Sequence, residues 1–195
     1  DFSILENNLD FYRQRKGFYF NSQQISQINT RIYYTYGQQV NYVPQEGQEP
    51  VPATVTSGNL VVTLRPTPRI RNDNTYILSR LRSIDGGQSI FTNNIIRSRW
   101  NWQLNREFSL RVILQYDAVL ANPVLTSLET RKNVNADILF TYLVNPWTAL
   151  YVGYNGNMQD IDLLTSPTGN KIMRSPEFMH DSRQFFVKVS YLLPF

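Results

Sequence analysis

With 195 residues, 17% charged and 13% aromatic side chains, the chain carries fewer charges than the roughly 25% usual in soluble domains. It has no cysteine, which excludes a disulfide framework and thiolate metal sites and fits an oxidising envelope compartment. Net charge is +4 with a pI near 9.4, so nucleic acid is a partner class to be judged by where the basic residues sit.

The chain opens Asp1-Phe2-Ser3-Ile4 without an initiating Met, as expected after removal of a signal or from a start inside a longer polypeptide. Residues 1–24 form an N-terminal segment with one candidate strand, Lys16 to Phe20, followed by the polar turn Asn21-Ser22-Gln23-Gln24. From residue 25 to 195 the pattern has period two, the signature of strands with two unlike faces. Strands are expected at Ile25–Tyr36, Thr56–Leu64, Ile70–Leu81, Asn93–Gln103, Phe108–Tyr116, Lys132–Tyr142, Ala149–Asn155 and at the C-terminus. In the clearest of them Phe108, Leu110, Val112, Leu114 and Tyr116 alternate with Ser109, Arg111, Gln115 and Asp117. The last sets Phe185, Val187, Val189, Tyr191, Leu193 and Phe195 against Gln184, Lys188 and Ser190.

Pro44, Pro50, Pro52, Pro66, Pro68, Pro123, Pro146, Pro167 and Pro176 fall in the expected connections, because proline cannot donate to a ladder. Those connections alternate in length. The long ones are 37–55, 82–92, 118–131 and 156–183; the short ones are 65–69, 104–106 and 145–147. Short turns at one rim and long loops at the other mark an up-and-down transmembrane β-barrel, which escapes hydropathy tests because only alternate residues meet lipid. Mean hydropathy is indeed −0.36, and no apolar run approaches the roughly 18 residues of a membrane helix. The fold class expected is all-β, an antiparallel barrel with eight to nine strands visible. The odd ninth strand favours the C-terminal part of a larger barrel over a closed eight-strand one, since single-chain barrels normally close on an even number.

If the apolar faces meet lipid, aromatic rings belong at the interfaces. Tyr34, Tyr36, Tyr116 and Tyr154 lie towards the long-loop ends; Trp100, Trp102, Tyr142, Trp147 and Tyr191 lie towards the short turns. A soluble lipocalin-like barrel would bury the same rings as core, but the opposite faces hold few charges for a water-bathed surface. Those faces supply a basic lumen-facing set: Arg31, Arg65, Arg71, Arg97, Arg99, Arg111 and Lys188. They either pair with Asp73 and Asp137 in ladders that satisfy one another or give a channel favouring anions. Because the basic residues lie opposite the aromatics, a nucleic-acid surface is not expected.

Chemistry-bearing motifs are weak. His180, Asp181 and Ser182 adjoin in the longest loop, but a triad is a matter of geometry and neighbours in sequence rarely converge on one atom. Asp160, Asp162 and Asp181 lack the spacing of a calcium loop. Asp85-Gly86-Gly87 reads as a turn, with no helix behind it to bind an anion. No catalytic residue, metal or cofactor is expected.

The C-terminal stretch from Arg183 to Phe195 resembles the assembly signal of outer-membrane proteins, with Tyr191, Leu193 and Phe195 at its alternate positions. Three further stretches are Leu64–Ile70 with Tyr76 and Ser79-Arg80-Leu81, Asn105–Tyr116, and Leu143–Asn155. Together they resemble an uncharacterised bacterial outer-membrane barrel domain that commonly follows a periplasmic module similar to family 9 carbohydrate-binding domains. The resemblance spans roughly residues 17–195, apart from the proline-rich loop at Val43–Ala53. It implies a larger parent barrel and offers no catalytic residues to carry over.

The function expected is an outer-membrane pore or uptake protein for small or carbohydrate-related solutes. The alternative is a non-conducting anchor or scaffold for a periplasmic domain or partner protein. Expected partners are outer-membrane lipid and lipopolysaccharide, the barrel assembly machinery during biogenesis, and periplasmic or outer-membrane proteins. The expected location is the bacterial outer membrane, with the long loops extracellular.

Overall fold

A computed structural model describes residues 2–6, 9–166 and 169–192, with side chains over 14–161 and 173–192. It contains eleven strands: β1 (Phe2–Glu6), β2 (Leu9–Arg13), β3 (Arg15–Ile25), β4 (Ile28–Asn41), β5 (Val51–Thr67), β6 (Ile70–Ser83), β7 (Ser89–Gln103), β8 (Phe108–Ala121), β9 (Arg131–Asn145), β10 (Thr148–Ser166) and β11 (Gly169–Tyr191). β1 and β2 pair only with each other. β3 to β11 form one nine-stranded antiparallel sheet in which every strand pairs with its sequence neighbours. The described residues contain no helix. β3 and β11 do not pair, so the sheet is open.

Each expected strand is present, and most run further than their alternation suggested. The expected turn at 21–24 is instead strand: β3 continues to Ile25, which pairs with Ile28, and the chain reverses at Ser26-Gln27. Asn21 pairs there with Arg31 and Ser22 with Thr30, so backbone pairing carries the strand through a polar stretch. The expected loop at 156–183 is likewise a hairpin, with β10 of 19 residues and β11 of 23. Its register slips at Asn157/Met158 and again between Gln159 and Ile161. Pro176 lies in the second slip, where Arg174 and Met179 are the flanking paired residues of β11. Pro66 sits in the irregular stretch between Leu64 and Thr67, and Pro52 lies beyond the last pair of β5 with β6. These three prolines are therefore in strands, at the bulges and ends where a missing donor breaks no ladder.

The connections still sort by rim. One rim carries 26–27, 68–69, 104–107 and 146–147; the other carries 42–50, 84–88 and 122–130. Gly86 and Gly87 take φ of 87° and 63° in the 84–88 turn, a conformation glycine adopts without the Cβ clash.

Cross-strand partners show that the strands lean relative to this rim. The row starting at Ile28, beside a short turn, runs through Leu64, Asn72, Trp100, Val112, Ile138 and Tyr154 to Phe185. Phe185 stands about six residues from the end of β11 at Tyr191. Six residues of rise against seven strand spacings gives a lean of roughly 30°, close to the tilt that barrel closure demands.

The sheet also curls. The loops 42–50 and 122–130 belong to hairpins about 19 Å apart in a flat sheet, yet they are hydrogen-bonded together. Ser127 N–H donates to Pro44 O at 3.1 Å. Thr126 Oγ1 donates to Val43 O, Asn41 Nδ2 to Leu125 O at 3.4 Å and Gln45 Nε2 to Thr126 O at 3.2 Å. Asn41 and Thr126 are each 1% exposed. Leu125 packs on a small core of Ala53, Val55, Leu81 and Ile90, with Phe91 beside it. Val55, Leu81 and Phe91 share the face of Arg97 and Arg99 by register, so the polar face is the concave one.

Candidate functional site on the concave face

Strand alternation fixes which side chains can meet here, because antiparallel partners share a face and residues two apart do too. Register places Arg31, Arg71, Arg97, Arg99, Arg111 and Lys188 on the concave face. It brings four of them together. Arg71, Asn101 and Arg111 form one cross-strand row over β6, β7 and β8. The next row is Thr63, Asp73, Arg99 and Ile113, and the one after it Thr75, Arg97 and Gln115. Arg31 lies apart, facing Asn21 and Val61. Lys188 stands over the Tyr151 ring at 6.0 Å from its centroid, at the limit of a cation–π contact. Arg65 is at the short-turn rim, where it shares a recess of about 390 Å³ with Gln27, Pro68 and Arg71.

Asp73 is the hub of the basic group. Arg71 Nε donates to both of its oxygens at 3.0 Å, Arg99 Nη2 donates to Oδ2 at 3.0 Å, and Thr63 Oγ1 donates to Oδ1 at 2.8 Å. One carboxylate thus holds two guanidinium groups in place. Asp137, the other carboxylate expected to join the ladders, accepts from Asn155 Nδ2 instead. Among the described residues Arg97 and Arg111 have no hydrogen-bond or ion-pair partner for their guanidinium groups. Beside Arg111, towards the short turns, lies an open cavity of about 310 Å³ whose lining includes Arg69, Arg71, Asn101, Gln103, Ser109 and Arg111.

The convex face is the aromatic one. Tyr34, Tyr36, Trp100, Trp102, Tyr116, Tyr142, Tyr154 and Tyr191 all fall on it by register; Trp147 lies in the 146–147 turn, half-exposed. Phe108 stacks on Tyr142 with centroids 4.4 Å apart, and Trp100 leans on Trp102 at 5.9 Å. Large apolar side chains on this face are open from edge to edge: Phe18 58%, Ile96 51%, Leu114 50%, Val189 67%. One feature here had no signal in the alternation. Asn72, Asn74 and Ser98 sit among the apolar residues and bond to one another: Asn72 Nδ2 donates to Ser98 Oγ, Ser98 Oγ to Asn74 Oδ1, and Asn74 Nδ2 to Asn72 Oδ1. Pairing closes their polar groups on themselves.

The weaker motifs resolve into structural roles. His180 pairs with Met158 and Ser182 with Asn157, so Asp181 is the extra residue of a bulge and the three occupy a strand rather than a loop. Asp181 accepts from Asn157 Nδ2 at 3.1 Å and Gln159 Nε2 at 3.0 Å. Asp160 is held by Arg174 at 3.2 Å, and the Asp162 side chain lies outside those described. No group of three or more His, Asp or Glu suited to a metal occurs among the described residues. Tyr191 pairs with Thr148, whereas Leu193 and Phe195 lie outside the described residues. No family model, curated protein or solved structure matches the chain.

Proposed function

We propose that these strands belong to a bacterial outer-membrane β-barrel acting as a pore or uptake protein for small solutes, with the concave basic face lining the pathway. The observation that carries this reading is the convex face, which bears exposed large apolar side chains on eight of the nine strands, β10 being the exception. A soluble monomer rarely leaves an apolar patch of more than a few hundred Å² in water, whereas a membrane strand must present one to lipid. The strand lean and the curl towards the polar face support a barrel wall. On this reading lipid and lipopolysaccharide cover the convex face, and the assembly machinery acts on the last strand. The unpaired outer edges of β3 and β11 are then completed by further strands of a larger barrel. Carbohydrate-related cargo rests on the sequence resemblance alone.

One observation favours the alternative, a non-conducting anchor. The latched loops 42–50 and 122–130 lie over the concave face at the long-loop rim, where Leu125 packs on Val55 and Leu81. Single-channel recording of the full-length protein in planar bilayers separates the two. Discrete steps support the pore; silence from a folded, inserted barrel rejects it in favour of the anchor.

A further inference from the structure

We infer that the row Arg71–Asn101–Arg111 is a binding station for a small organic oxyanion, a carboxylate or phosphate. This rests on the proposal that the concave face lines a membrane barrel, and it adds a ligand class and a place.

The argument starts from what the cluster leaves unspent. Arg71, Arg97, Arg99 and Arg111 occupy three neighbouring rows, and the carboxylate bonded within them is Asp73. An ion-pair ladder that only satisfied itself would match cations with anions. Here Asp73 takes Arg71 and Arg99, and nothing among the described residues takes Arg97 or Arg111. Arg71 meets Asp73 through Nε, which leaves its terminal nitrogens directed elsewhere. Asp73 and Thr63 therefore act as a brace that fixes one guanidinium group in advance of any ligand.

Spacing supports a clamp. Arg71 and Arg111 stand on either side of Asn101, two strand spacings or about 10 Å apart at the backbone. Their long side chains can approach an anion seated over the Asn101 amide from both sides. A guanidinium fork matches the two oxygens of a carboxylate or phosphate. The adjoining cavity of about 310 Å³ is at the lower end of small-molecule sites. The hydroxyls of Ser109 and Thr141 in its lining suit a polar ligand body, while Gln103 Nε2 is already bonded to Asn105 O and Phe108 O. The low-dielectric wall of a barrel would strengthen the local field.

The test uses the full-length protein folded in detergent micelles, titrated calorimetrically with inorganic phosphate and, separately, with acetate and citrate. Phosphate binding without carboxylate binding assigns the station to phosphates, and the reverse to carboxylates. Arg111→Gln should weaken the preferred anion about tenfold, and Arg111→Lys should fall between it and the parent. Arg183→Gln, a change on the convex face, should leave binding unchanged. Equal affinity for parent and Arg111→Gln, or no binding of any of these anions, overturns the station. The bilayer recordings keep the two proposals apart. Steps without anion preference, together with an inert Arg111→Gln, reject the station and keep the pore. A silent protein whose anion binding still falls with Arg111→Gln rejects the pore and keeps the station.

Discussion

The two faces of the sheet are made by the same strands and obey opposite rules. On the convex face, partners across strands are Phe18 with Tyr34, Leu110 with Phe140 and Val152 with Val187. Polar groups on it include Asn72, Asn74 and Ser98, which bond to one another, Asn94, which accepts from Tyr76, and the charged Lys132 and Arg183. On the concave face, polar groups are numerous, charge is unbalanced, and some of it is left without partners. The difference teaches where the polar potential of the chain is free to act. A face that meets hydrocarbon must satisfy every polar group internally, whereas a face that meets water or solute need not.

A charge placed on either side should break or uphold this contrast most directly. Leu114→Arg, midway along β8 on the convex face, should cost about 2–4 kcal/mol in lipid vesicles, as expected for arginine near the bilayer midplane. Its neighbour Gln115→Arg, pointing the other way, should change the same urea titration little. Similar effects from both would reject the assignment of faces. Next in size is the latch. Thr126→Val removes the bond to Val43 O and leaves a part-buried carbonyl unpaired, at about 1 kcal/mol or somewhat more. Hydrogen exchange should show it as faster exchange of the Ser127 amide, with strand amides of β9 unaffected. If the latch restricts a pore, the same variant should also raise conductance.

Asn72→Ala tests the self-satisfied cluster on the convex face. It deprives Asn74 and Ser98 of a partner and should lower stability by about 1 kcal/mol in vesicles. No change would mean that the three residues do not depend on one another. The smallest effect is expected at Arg99→Gln. Its pair with Asp73 is partly exposed, at 43% for the arginine side chain, and Arg71 remains, so the loss should stay under about 1 kcal/mol and shrink with added salt.

Alternation made the strands and their faces legible. Residues 108 to 116 and 132 to 142 could be paired face to face before any coordinates, because period two leaves no freedom in side-chain direction. Arg71 and Asp73, two apart on one strand, were visible as one-sided neighbours for the same reason. What failed was the assumption that strands stop where apolar alternation stops. β10 and β11 continue through Asp160, Asp162 and His180, where backbone pairing carries the hairpin on although the apolar alternation has lapsed. The latch left no trace at all. Its acceptors are main-chain carbonyls of Val43, Pro44, Leu125 and Thr126, which carry no residue signature, and its donors lie at the end of β4 (Asn41) and in the two loops.

That latch has a kinetic consequence. Apart from it the sheet is a succession of hairpins between sequence neighbours, each able to form locally. The bond from Thr126 to Val43 closes a span of 83 residues. It becomes cheap in entropy only after β5 to β8 have zipped and shortened the effective loop. It also depends on their cumulative curl, since a single-residue slip in any of these pairings would displace one loop from the other by about 3.3 Å. The contact therefore serves as a gauge of assembly, closing late and only on a wall whose every register is correct.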